Sequence, residues 1–146
     1  MSRDERNTWI FGVVAIIAYA AYVIVIISRA DGGPISAVDY VAPLLWSVGL
    51  AILANIVANI VLGILASIAS GKEAMIKDQR DREIFRRSEY IGQSFVIAGA
   101  VAALLMAMAQ WEYFWIANVI YLAFVLSAVL SATARIIAYR KGFPWE

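Results

Sequence analysis

Two asparagine side chains stand on one face of a strongly apolar segment of this 146-residue chain. Asn55 and Asn59 are four residues apart, so a helix places both carboxamides on the same side. A carboxamide can coordinate a dehydrated ion, bind a neutral polar solute or hydrogen-bond to a neighbouring helix. Because an unbonded amide costs several kcal/mol in an apolar environment, this face must contact protein or water.

The four-residue spacing continues in both directions as a row that we call the asparagine stripe. It consists of Ser47, Ala51, Asn55, Asn59, Gly63 and Ser67. Small residues at every fourth position are typical of helices that pack closely in membranes. Later segments offer matching small or polar positions, namely Gly92, Gln93, Ser94, Gly99, Ala103, Ala107, Asn118, Ser127 and Ser131. Two interpretations stay open: contact between helices, within or between subunits, or the lining of a hydrated path or ligand site.

The sequence lacks the residues on which most catalytic and metal sites depend. It has no cysteine and no histidine, which excludes disulfides, thiolate metal sites and histidine bases. It also has no glycine-rich phosphate loop and no nucleophile paired with a base. The net charge of +1 gives no bulk electrostatic support for nucleic-acid binding. We therefore expect no enzyme activity, no metal, no cofactor and no direct contact with nucleic acid.

The composition is that of an integral membrane protein. Hydrophobic residues make up 63% of the chain and charged residues 16%, against about 25% charged residues in soluble domains. Four uncharged segments, at 9–28, 41–67, 91–110 and 114–134, are long enough to cross a hydrocarbon core of about 30 Å. Mixed charges precede the first segment and no clear cleavage site follows it, so we expect a retained helix. Residues 1–146 are predicted to form a single transmembrane domain.

The basic residues predict the orientation of these spans. Eleven of the twelve lysines and arginines lie on the same side of the predicted spans, and only Arg29 lies on the other. The side with the eleven basic residues should be cytoplasmic. The expected fold is an all-α membrane protein of two antiparallel hairpins, with both termini in the cytoplasm of a bacterium. The short connection at 111–113 makes the third and fourth spans neighbours. The lack of charged residues inside the spans argues against an ion-coupled transporter.

A charged helix is predicted over 72–90, running into the third span. Charge pairs at four-residue spacing, such as Glu83 with Arg87, support it. We expect Arg135 to pair with an acid of this segment or to reach the lipid headgroups. The segment is either a salt-bridged brace at the headgroups or a docking surface for a cytosolic protein. The candidate interaction residues are Asp78, Arg80, Asp81, Arg82, Glu83, Arg86, Arg87 and Arg135.

Five stretches of the chain resemble an uncharacterised family of small four-span bacterial membrane proteins. They are Asp-Gln-Arg-Asp-Arg-Glu-Ile at 78–84, Tyr-Ile-Gly-Gln-Ser-Phe at 90–95, and the segments at 41–46, 114–121 and 139–143. Gln79 stands where the family pattern has an acidic residue, which argues against a cation site there. The resemblance implies the four-span fold but no activity. Because members are often encoded beside small helix-turn-helix regulators, it also implies such a regulator as a cytosolic partner.

Two functional hypotheses follow from these observations. In the first, the chain is a non-enzymatic interaction or signalling module, or an accessory subunit, that binds a partner through its charged helix. In the second, it is a passive channel or small-solute facilitator whose path contains Asn55 and Asn59. Both hypotheses include insertion in the lipid bilayer, and the small-residue faces favour a homo-oligomer.

Overall fold

Four long helices account for most of the computed structural model, which describes residues 3–70 and 79–142. The helices are α1 (Arg3–Ala30), α2 (Val41–Ser70), α3 (Gln79–Met108) and α4 (Tyr113–Lys141), and a 3-10 turn at Ile35–Ala37 lies between α1 and α2. Each helix is long and apolar enough to cross a membrane. The predicted all-α fold with four candidate membrane spans is therefore confirmed.

The helices extend beyond the thickness of a hydrocarbon core. A helix of 30 residues, such as α3, is about 45 Å long, against about 30 Å for the core. This one continuous helix contains both the charged residues that follow Gln79 and the third predicted span. Residues 71–78, which include Asp78 and the first part of the predicted charged helix, lie outside the described residues.

The packing order of the helices is α2, α1, α4 and α3. The most extensive interface joins α3 to α4, and α1 packs against both α4 and α2. We call the end where α1 and α3 begin the charged end. The opposite end, which holds the connections at 31–40 and 109–112, is the loop end. Within the described residues, α1 and α4 are thus the central helices and α2 has a large uncovered surface.

Small residues set the close approach of α3 to α4. A Cβ atom on Gly92 would overlap the Ser131 side chain, and one on Gly99 would overlap the Cβ of Ala123. Residue numbers rise along α3 as they fall along α4, as in an antiparallel pair. The sequence offers these glycines as a match for the asparagine stripe, but within this chain they lie against α4. The small residues of α4 provide the complementary surface instead.

The turn from α3 to α4 begins two residues before the predicted end of the third span. Gln110 adopts a left-handed conformation with φ of 59°. The Trp111 backbone N–H donates to Met106 O at 3.0 Å, and the Gln110 N–H donates to Ala107 O at 3.1 Å. These two bonds form a Schellman motif, which ends α3 at Met108. A hydropathy pattern cannot locate such an end, because Ala109 and Gln110 do not interrupt the uncharged run.

Candidate functional site

The first three turns of α3 present a largely charged face at the charged end. The residues of this face recur at helical spacing and line a groove of about 500 Å³, which we call the α3 groove. They are Gln79, Arg82, Glu83, Arg86, Arg87 and Tyr90. Arg87 donates to Glu83 one turn earlier, whereas Arg82 and Arg86 are exposed and form no ion pair with another described residue. The groove therefore offers two guanidinium groups that could bind an anionic surface.

The opposite face of the same turns is fixed against α4. Ile84 is 4% exposed and packs on Ala138, which is 1% exposed, and Ser88 is fully buried. The Tyr139 side chain of α4 lies close to the Asp81 carboxylate. Because buried contacts hold one face of the helix, the orientation of the α3 groove is determined before any partner binds.

Arg135 holds α3 and α4 together at this level. It donates to the Glu89 carboxylate at 2.8 Å, and its guanidinium carbon lies 4.3 Å from the centre of the Phe85 ring. The Arg135 side chain is 14% exposed and that of Glu89 is 52% exposed, so solvent reaches this ion pair from the Glu89 side. Arg135 therefore acts as a link between the two helices and lies outside the α3 groove.

The other predicted interaction residues are distributed around the helix. Arg80 is exposed but does not line the α3 groove. Asp81 faces Tyr139, and Asp78 is outside the described residues. At the same end, Arg140 pairs with Glu5 at 3.1 Å and connects α4 to α1. Among the described residues, no group of acidic side chains could hold a metal ion.

The asparagine stripe is divided between two environments. Ser47 donates to Ala18 O of α1 at 2.9 Å, and Asn55 is half-buried. Asn59, Gly63 and Ser67 are exposed. Four residues turn a helix by about 40° beyond one full turn, so the row winds away from α1 toward the charged end.

The two asparagines bond to their own helix. Asn55 Nδ2 donates to Ala51 O at 2.9 Å, and Asn59 Nδ2 donates to Asn55 O at 2.7 Å. Asn55 Oδ1 is buried and has no hydrogen-bond partner among the described residues. The exposed Asn59 amide thus retains hydrogen-bonding capacity near the middle of α2, on a surface that no other described helix covers.

A buried polar network joins α1, α2 and α4 near the loop end. The Tyr22 hydroxyl donates to Asn118 Oδ1 at 2.6 Å, and Asn118 Nδ2 donates to Phe114 O at 2.8 Å. The Ser47 and Tyr121 hydroxyls are also hydrogen-bonded to each other. The structure therefore places Asn118 and Ser47 in interhelical contacts. Gln93 and Ser94, by contrast, are exposed, and Ser94 bonds back to Ile91 O.

Sequence reasoning overlooked Tyr121, which is 8% exposed and contacts the rings of Tyr19 and Tyr22. Its position three residues after Asn118 places both on one face of α4, and that spacing could have identified it.

Comparisons of the chain with protein-family models, with curated proteins and with solved structures found no match.

Proposed function

We propose that this chain is a multi-pass, non-enzymatic protein of a bacterial cytoplasmic membrane that binds a protein partner through the α3 groove. Its helices form two hairpins, and the charged end lies in the cytoplasm. The support for this orientation is the concentration of lysine and arginine at that end, with Arg29 alone at the other. The α3 groove is then positioned at the cytoplasmic surface of the membrane.

The observation that carries the proposal is the contrast between the two faces of α3. One face is buried against α4, and the other exposes Arg82 and Arg86 in a groove. A surface that is already ordered loses little conformational entropy when a partner binds. Its cationic character favours an acidic surface on the partner. A small helix-turn-helix regulator is the first candidate, as the family resemblance implies.

Charge reversal in the groove tests this proposal. We expect the double variant Arg82→Glu/Arg86→Glu to recover the partner at least about tenfold less than wild type in affinity purification from membranes. Arg80→Glu is the matched control, because Arg80 is exposed on the same turns but lies outside the groove. Equal recovery of every co-purified protein by the double variant and the control, at equal membrane abundance, would contradict partner binding by the groove.

The exposed half of the asparagine stripe supports a homo-oligomer. Gly63 leaves open space on α2, since an added Cβ would meet no atom within 4 Å. A second copy could pack its α2 at this position, and the Asn59 amides would then bond to each other across the contact. This arrangement removes the cost of leaving an amide unbonded in hydrocarbon.

The passive-path hypothesis requires the same oligomer, because Asn59 faces outward from the single chain. The variant Asn59→Leu distinguishes a contact between subunits from a passive path. If the stripe only joins subunits, the variant loses the oligomer in mild detergent, and ion flux into liposomes stays at background for wild type and variant alike. A passive path predicts measurable flux through wild type and its loss in the variant.

A further inference from the structure

A second groove, between α1 and α2, has no role in the proposed partner binding. It has a volume of about 580 Å³, within the range of small-molecule sites. One face of α1, from Val14 to Arg29, forms one wall, and α2 from Ala42 to Ala54 forms the other. We call it the α1–α2 groove.

Small side chains create this depression. Ala18 and Ala21 on α1 and Ala51 and Ala54 on α2 leave room between the helix axes. The polar groups at its base already have partners within the protein. Ser47 bonds to Ala18 O and to Tyr121, and the Tyr22 hydroxyl bonds to Asn118. The surface that remains for a ligand is therefore almost entirely apolar.

The one basic residue among the described residues that line the α1–α2 groove, Arg29, lies at its loop end. Arg29 is exposed and forms no ion pair with another described residue. Trp46, which is 69% exposed, lines the same groove, and tryptophan favours the boundary between headgroups and hydrocarbon. From Arg29, the α1 wall runs about 22 Å toward the charged end, at 1.5 Å for each residue. This length covers one leaflet, which is about half of a 30 Å hydrocarbon core.

We propose that the α1–α2 groove is a binding site for one phospholipid of the leaflet at the loop end. One acyl chain lies along the apolar walls, and the phosphate binds the Arg29 guanidinium. Two features of the groove match a phospholipid. Its long apolar walls fit an acyl chain, and the Arg29 guanidinium at the loop end can bind the phosphate of the headgroup. The site depends on membrane insertion but not on the α3 groove, so the two proposals can fail separately.

Native mass spectrometry of the full chain in mild detergent, with added phosphatidylglycerol, tests the site. Ala21→Phe fills the groove from an exposed position, and Ala20→Phe adds the same ring at an exposed position outside the groove. We expect wild type and Ala20→Phe to retain one phosphatidylglycerol for each chain. Ala21→Phe and Arg29→Gln should each lower retention about fivefold, and Arg29→Lys should retain it.

Two results would overturn the proposal. The first is equal retention by Ala21→Phe, Arg29→Gln and the Ala20→Phe control, which would leave the groove without a specific lipid. The second is a change from dimer to monomer mass in Ala21→Phe alone. That change would show that a second copy of the chain occupies the groove.

Discussion

The Tyr22 hydroxyl donates a 2.6 Å hydrogen bond to Oδ1 of Asn118, and this bond connects the C-terminal third of α1 to the start of α4. Tyr22 is 3% exposed and packs edge-on against the Tyr121 ring. The Asn118 amide nitrogen donates to Phe114 O. The pair thus satisfies two polar groups that would otherwise be buried without partners.

Removing this bond should weaken the α1–α4 contact. In a double-mutant cycle of Tyr22→Phe and Asn118→Ala, we expect a coupling free energy of about 0.6 kcal/mol, the average for interhelical bonds in membranes, and at most about 1.7 kcal/mol. The measurement is the free energy of unfolding in a denaturing-detergent titration. Tyr113→Phe is the control, because Tyr113 is 83% exposed. A coupling free energy of zero would mean that the bond does not join the helices.

The α3–α4 interface should be sensitive to a single methyl group. Gly99→Ala places a Cβ atom against the Cβ of Ala123, so the helices must separate. We expect a loss of about 1–3 kcal/mol in the free energy of unfolding. Gly49→Ala adds the same methyl group where no atom lies within 4 Å, and it should be neutral or slightly stabilising. Equal losses for the two variants would argue against close packing at Gly99.

The orientation can be tested cleanly because the chain has no cysteine. Single cysteines at Ala37 and Gln79 report on the loop end and the charged end, respectively, and both positions are exposed. We expect a membrane-impermeant maleimide to label Ala37→Cys in intact spheroplasts. Gln79→Cys should react only after permeabilisation. The reverse pattern would place the charged end outside the cytoplasm.

The sequence predicted the four helices because long uncharged segments leave few other structures in a membrane. The short connection between the third and fourth spans predicted that α3 and α4 pack together, but nothing in the sequence predicted that α1 lies between α2 and α4. The small residues of α2, α3 and α4 recur at similar spacing, and hydropathy does not distinguish one small face from another. Only the structure shows that Gly92 and Gly99 lie against α4. The same limit applies to the α1–α2 groove, whose two walls come from separate helices.

The asparagine stripe shows a second limit of sequence reasoning. A four-residue spacing places neighbouring members on one face, but across five steps the row winds around the helix. Ser47 therefore contacts α1 while Asn59 and Ser67 are exposed. The chemistry of Asn55 and Asn59 indicates that their side-chain amides require hydrogen-bond partners. Their Nδ2 atoms donate to Ala51 O and Asn55 O, and these two bonds use only part of the hydrogen-bonding capacity of the amides.

Site-specific photocrosslinking in intact cells tests the central claim most directly. A photoreactive residue replaces Gln79 or Tyr90, at the two ends of the α3 groove, and Arg80 serves as the control position outside it. We predict that both groove positions capture the same cytosolic or membrane protein and that position 80 does not. Capture of only lipid, or of only another copy of this chain, at positions 79 and 90 would contradict it.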